Sequence, residues 1–129
     1  MDLPSQDARI RCLIVDDSPP FLDAARLLLE RQGMAVVGVA TTSADAQRLE
    51  EELRPDVVLV DIRLGEESGF DLTRRLAGPA ILISTHAQKE YAAEIAASAA
   101  AGFITKAEVS ASAIVRLLRA STDDDASAH

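Results

Sequence analysis

Residues 57–64 read Val57-Val58-Leu59-Val60-Asp61-Ile62-Arg63-Leu64. The first four are apolar without polar alternation, which is strand length and calls for cover on both faces. Ala80-Ile81-Leu82-Ile83 repeats the pattern downstream. Further apolar runs stand at Cys12 to Val15 and Ala35 to Val39 and, more weakly, at Phe103-Ile104. Strands of this kind belong to parallel sheets, in which helical crossovers supply the cover.

Helical spacing fills the gaps between the runs. Ser18 is a good N-cap, and Pro19 follows where a missing N–H costs nothing. Phe21, Leu22, Ala25, Leu28 and Leu29 then predict a buried stripe that Gly33 ends. Further helices are predicted over about 43–53, stopped by Pro55, and over 68–76, stopped by Gly78 and Pro79. The alanine-rich stretch predicts one over 88–100, ended by Gly102, and the last runs over 110–120 with Ile114, Leu117 and Leu118 inward. Five strands alternating with five helices predict the α/β class: a doubly wound five-stranded parallel sheet, order 2-1-3-4-5, with right-handed crossovers and helices on both faces. The expected organisation is an N-terminal tail over 1–9, one domain over 10–120 and a disordered acidic tail over 121–129.

Composition narrows the function classes. A chain of 129 residues, 48% apolar and 26% charged, can bury a core and is neither disordered nor collagen-like. Its net charge of −8 argues against a nucleic-acid surface. No apolar run approaches the roughly 18 residues of a membrane helix, and Met1 to Arg11 lacks the apolar centre of a signal peptide. The expected compartment is the cytosol, with no membrane partner. The single cysteine, Cys12, cannot form an internal disulfide and reads as a small buried hydrophobe.

Ligands in open α/β sheets bind beyond the carboxyl ends of the strands. The first strand is followed by Asp16-Asp17, the third by Asp61, the fourth by Ser84-Thr85 and the fifth by Thr105-Lys106. With strands one and three adjacent, three carboxylates converge. At about 4 Å and an effective dielectric near 20, each like-charged pair costs on the order of 4 kcal/mol, so the cluster needs a cation or a shared proton. Hard oxygen donors in a partial shell favour Mg²⁺. Strands lie about 4.8 Å apart, which brings the Ser84 hydroxyl within reach of a group mounted on Asp61. Lys106, two strands or roughly 10 Å away, needs its long side chain. A carboxylate nucleophile with a metal, a hydroxyl and an ammonium around it suits phosphoryl transfer. Alone, Asp16-Asp17 reads equally as a turn and cap pair, Asp61 as a loop carboxylate, Ser84 as a cap and Lys106 as a solvated charge. All four groups at the ends of successive core strands point to function.

These residues resemble the receiver domain of two-component response regulators over about residues 10–120. The resemblance rests on Leu13-Ile14-Val15-Asp16-Asp17-Ser18, on residues 57–64, on Ile83-Ser84-Thr85 and on Gly102-Phe103-Ile104-Thr105-Lys106, in order and spacing. It implies that Asp61 is phosphorylated by a histidine kinase or histidine phosphotransfer protein. It also implies that Asp16, Asp17, Asp61 and the backbone carbonyl of Arg63 hold Mg²⁺. Ser84 and Lys106 then contact the phosphoryl group, with Ser84 and Phe103 forming the switch; a plain core aromatic is the alternative for Phe103. The implied output face is helix four, strand five and helix five, where Tyr91, Glu94, Val115, Arg116 and Arg119 would meet a partner or a second copy.

Three departures from the family's habit stand out. Leu64-Gly65 replaces Met-Pro, so the loop before helix three is expected to be more mobile. Ala107 replaces the proline after the lysine, so that bond is expected to be trans. Thr85 stands where a smaller residue is usual and is expected to crowd the path to Asp61. Arg63 and His86 flank the site; neither offers a carboxylate or amide to orient water, which predicts slow self-dephosphorylation.

Alternative functions are an aspartate-nucleophile phosphatase and a phosphate-independent binding module. The first would need an aspartate where Arg63 stands. No Gly-rich phosphate cradle is present, so ATP is not a direct donor. The chain is expected to be no enzyme beyond its own phosphorylation and dephosphorylation. It reads as a stand-alone receiver or as the receiver half of a DNA-binding regulator.

Overall fold

A computed structural model describes residues 9–86 and 88–127. Five parallel strands form the central sheet: β1 (Arg11–Val15), β2 (Ala35–Ala40), β3 (Val57–Asp61), β4 (Ala80–Ser84) and β5 (Gly102–Thr105). Their order is β2-β1-β3-β4-β5, as predicted. The helices are α1 (Pro19–Arg31), α2 (Ser43–Leu53), α3 (Gly69–Arg75), α4 (Ala92–Ala97) and α5 (Ala111–Ser127).

Side chains along a strand alternate between the two faces of the sheet, and here both faces are apolar. Cys12 and Ile14 of β1, Val57 and Leu59 of β3, and Ile81 and Ile83 of β4 pack with Leu22, Ala25 and Leu29 of α1 and Ile114 of α5. Leu13, Val15, Val58, Val60 and Leu82 pack on the other side with Ala46 of α2 and Leu72 of α3. The missing polar alternation in β3 and β4 therefore has a direct cause: every residue of both strands is buried. Cys12, fully buried, has its thiol pushed up to about 12 by desolvation, which leaves it an inert hydrophobe.

Local chemistry sets the helix ends. Ser18 Oγ accepts from the Phe21 N–H with proline at the start of α1, and Gly33, at φ 97°, lies just past its end. The predicted stripe on α1 holds for Leu22, Ala25 and Leu29, while Phe21 is half-buried. Leu28 is 36% exposed and Leu27 61%. At about 100° per residue, Leu28 points well away from the line through Leu22, Ala25 and Leu29, and that corrects its placement in the core.

Two helices differ in length from the sequence pattern. The segment predicted as one helix over 88–100 is a 3₁₀ turn, Gln88–Tyr91, followed by the six residues of α4, none of them buried. Ser98 stops it: its hydroxyl donates to the Ile95 carbonyl and accepts from the Ala100 N–H, taking over backbone partners. Helix α5 runs past the predicted end at Ala120 to Ser127. Residues 121–127, which the sequence reading assigned to the acidic tail, contain neither Gly nor Pro and continue the helix. Residues 1–8 of the predicted N-terminal tail, and residues 128–129, lie outside the described residues.

Leu59 is fully buried between β1 and β4 on the α1/α5 face. Leu59→Ala is expected to lower unfolding stability by about 3 kcal/mol, measured by urea titration with an unchanged slope.

Candidate functional site

The sheet register assembles the site before any side chain is considered. Val15 pairs with Val60 and Ser84 with Thr105 across neighbouring strands, so Asp16 and Asp61 leave the sheet side by side and Lys106 follows just beyond Ser84. One carboxylate oxygen from each of Asp16, Asp17 and Asp61 lies within 4.8 Å of the others. Asp16 is fully buried, Asp61 nearly so, and Asp17 is exposed.

Backbone donors hold each carboxylate by one oxygen. Asp16 Oδ1 accepts from the Ser18 N–H at 2.9 Å, Asp17 Oδ2 from the Gly65 N–H at 2.9 Å and Asp61 Oδ1 from the Arg63 N–H at 3.2 Å. The Lys106 ammonium spans the strands, as its length required, and sits 2.6 Å from Asp16 Oδ2 and 3.3 Å from Asp61 Oδ2. It also lies 4.7 Å from the centre of the Phe21 ring, an added cation–π contact. Asp16 Oδ2, although ion-paired, accepts no well-aligned hydrogen bond among the described residues.

Three carboxylates against one ammonium leave two negative charges unbalanced. The cluster is thus a site that could hold a metal ion. An all-oxygen donor set, one member solvent-facing and another with a buried, incompletely bonded oxygen, fits a hard divalent cation.

Burial raises the Asp61 pKa above its ordinary value and the charge of Asp16 adds to it, while the Arg63 N–H and Lys106 oppose the rise. For Lys106, burial works downward, but the carboxylates of Asp16 and Asp61 outweigh it and hold the ammonium protonated.

Asp17, Asp61, Ser84 and Lys106 line one cleft of about 260 Å³ with Arg63 and His86. Ser84 Oγ accepts from the His86 N–H at 3.0 Å. Phe103 is half-buried against the core on the α2/α3 side. Thr85 is exposed, with its hydroxyl 3.3 Å from His86 Nδ1. The Lys106–Ala107 peptide is trans, as expected. The loop before α3 carries a short antiparallel hairpin, with Arg63 opposite Ser68 and Leu64 opposite Glu67. Gly65 turns it at φ 62°, a conformation that glycine adopts without penalty.

Sequence reasoning missed Gly69 altogether and placed Tyr91 on the output face alone. Gly69 donates its N–H to the Ile62 carbonyl at 2.7 Å, and a Cβ there would overlap the Asp61 carbonyl, so only glycine lets α3 start this close to β3. Tyr91 reaches the same cleft, with its ring 6.3 Å from that of His86 at an interplanar angle of 80°. A glycine opening a helix was the available signal for the first; no local pattern marked the second.

Residues 12–119 match the response regulator receiver domain family. The chain belongs to that family. Response regulator GacA of Pseudomonas aeruginosa is 30% identical over 103 residues, 75% of this chain and 48% of GacA. The transcriptional regulatory protein KdpE of Mycobacterium tuberculosis is 34% identical over 98 residues, 73% of this chain and 43% of KdpE. This receiver therefore spans about half the length of the curated relatives it matches. Among solved structures, a LuxR-family two-component response regulator from Aurantimonas sp. SI85-9A1 superposes with a TM-score of 0.75 at 29% identity, covering 88% of this chain and 84% of that one. The response regulator domain of Thermotoga maritima CheB gives 0.72 at 25%, covering 88% and 97%. No helix among the described residues is long and apolar enough to cross a membrane.

A raised carboxylate pKa means that the folded receiver binds this proton more tightly than the unfolded chain. Its contribution to stability is fully present below the unfolded value of about 3.9 and is lost as pH rises through the folded one. Asp61→Asn is therefore expected to raise the thermal midpoint of the metal-free protein at pH 7 by a few degrees, with the gain shrinking toward pH 4. A gain independent of pH contradicts this origin.

Proposed function

We propose that Asp61 accepts a phosphoryl group from the phosphohistidine of a histidine kinase or histidine phosphotransfer protein. The observation that carries this reading is the Lys106 ammonium set between the buried carboxylates of Asp16 and Asp61. It balances the nucleophile's charge and lies where a transferred phosphoryl oxygen would be neutralised. In the step, an Asp61 oxygen bonds to phosphorus and the bond from phosphorus to the donor's imidazole nitrogen breaks. The imidazole leaves with that electron pair, and an acyl phosphate remains on Asp61. Ser84, in the same cleft, offers its hydroxyl to another phosphoryl oxygen.

Asp16, Asp17, Asp61 and the Arg63 carbonyl are the residues that would hold Mg²⁺. When bound, that ion supplies charge neutralisation for the phosphoryl oxygens. Arg63 stands where an aspartate-nucleophile phosphatase would carry its acid/base, so the chain modifies itself rather than turning over other substrates. It works in the cytosol, where its donor's phosphohistidine is found.

Phosphorylation adds about two negative charges, and only contacts that differ between two conformations turn them into a signal. Ser84 and Phe103 are the proposed switch. The surface of α4, β5 and α5, including Tyr91, Glu94, Val115, Arg116 and Arg119, is the proposed output face toward a partner or a second copy.

Incubation with acetyl phosphate and Mg²⁺ is expected to add one phosphoryl group by mass to the wild type and none to Asp61→Asn. An unmodified wild-type Asp61 overturns the reading. His86→Glu places a carboxylate beside the cleft to orient water and is expected to shorten the phosphoryl lifetime severalfold, followed by loss of label. An unchanged or longer lifetime refutes the role given to this position.

A further inference from the structure

We infer that Glu67 is a positioning residue for the metal site: it ties the β3–α3 hairpin to the start of α2 and thereby keeps the Gly65 N–H on Asp17. The inference rests on the reading of Asp17 as a metal-holding carboxylate and names what holds that carboxylate in place.

Asp17 is the exposed member of the three clustered carboxylates, so core packing does not orient it. Its Oδ2 instead accepts from Gly65, 48 residues away, at the turn of the hairpin. Strands of two residues are far too short to hold themselves together. Two anchors come from the fold itself: Leu64 is buried at 3% exposure, and the Gly69 N–H closes the base on Ile62. The third is chemical. Glu67 Oε1 accepts from the Ser43 N–H at 2.9 Å. Ser43 is the first residue of α2, where backbone donors lack helical partners and the helix dipole favours a carboxylate. Glu67 pairs with Leu64 in the hairpin and lies two residues beyond Gly65, so this bond sets how the turn faces Asp17. An Asp17 already held in one orientation loses less side-chain freedom when a cation binds.

The test is calorimetric titration with Mg²⁺, together with amide hydrogen exchange at Gly65 in the metal-free protein. Glu67→Ala is expected to weaken Mg²⁺ binding by about tenfold, as loss of outer hydrogen bonds does at other metal sites, and to speed Gly65 exchange. Glu67→Gln keeps an acceptor oxygen and is expected to stay close to wild type in both. Ser43→Pro removes the same bond from the donor side, at a helix position that tolerates proline, and is expected to reproduce Glu67→Ala. Thermal midpoints identify any variant that loses the fold, and the remaining variant of the pair then decides. Wild-type affinity in a folded Glu67→Ala or Ser43→Pro overturns the inference alone. A wild type that binds no Mg²⁺ overturns the reading of the site as well.

Discussion

Like charges crowded at the edge of an apolar core are the constraint around which this molecule is arranged. Two carboxylates, Asp16 and Asp61, emerge from adjacent strands into a place that water barely reaches, with Asp17 beside them. Mutual repulsion on the order of several kcal/mol would push them apart in an isolated chain. The Lys106 ammonium, anchored two strands away and resting over the Phe21 ring, offsets part of it, and the backbone N–H groups of Ser18, Gly65 and Arg63 offset more. What remains uncompensated is two negative charges, which a divalent cation would balance.

The rest of the fold makes that crowding sustainable. Strands buried on both faces cannot shift register without moving apolar side chains between two separate cores, so the ends of β1, β3 and β4 are held in step. Close packing then dictates small details. Gly69 is needed because α3 begins against the Asp61 carbonyl, and Gly65 because the hairpin must turn within two residues to meet Asp17. The α4 side of the sheet is built differently. Helix α4 buries nothing fully, contains only six residues and is stopped by a serine hydroxyl, so it is held to the sheet by little apolar area. An element with so little buried apolar surface belongs to the less stable end of the fold.

Much of this was legible in the residues. The apolar runs, Ser18, Pro19, Gly33 and Pro55 marked strands and helix ends because each acts through local chemistry: strand burial, capping, a fixed φ or a left-handed turn. The carboxylates, Ser84 and Lys106 of the candidate site were legible because they stand at or within two residues of the carboxyl ends of core strands. Leu28 was misplaced because hydrophobicity alone does not say which leucine of a run Leu27-Leu28-Leu29 faces inward; the rotation of α1 on the sheet does. The length of α4 differs from the pattern because alanine propensity competes with the Ser98 hydroxyl, and α5 extends further because polar residues alone do not end a helix.

The amino-acid order by itself determined the five core strands, most of the helices between them, and that a carboxylate, a hydroxyl and an ammonium stand at strand ends, since propensity, capping and periodicity act between neighbours in the chain. Only the tertiary structure decided that Lys106 bridges Asp16 and Asp61 rather than pointing to solvent, that Gly69 is obligatory, and that a hairpin turn reaches back to Asp17. Those facts depend on contacts between residues tens of positions apart, and such contacts exist only once the sheet order and register have brought the segments together.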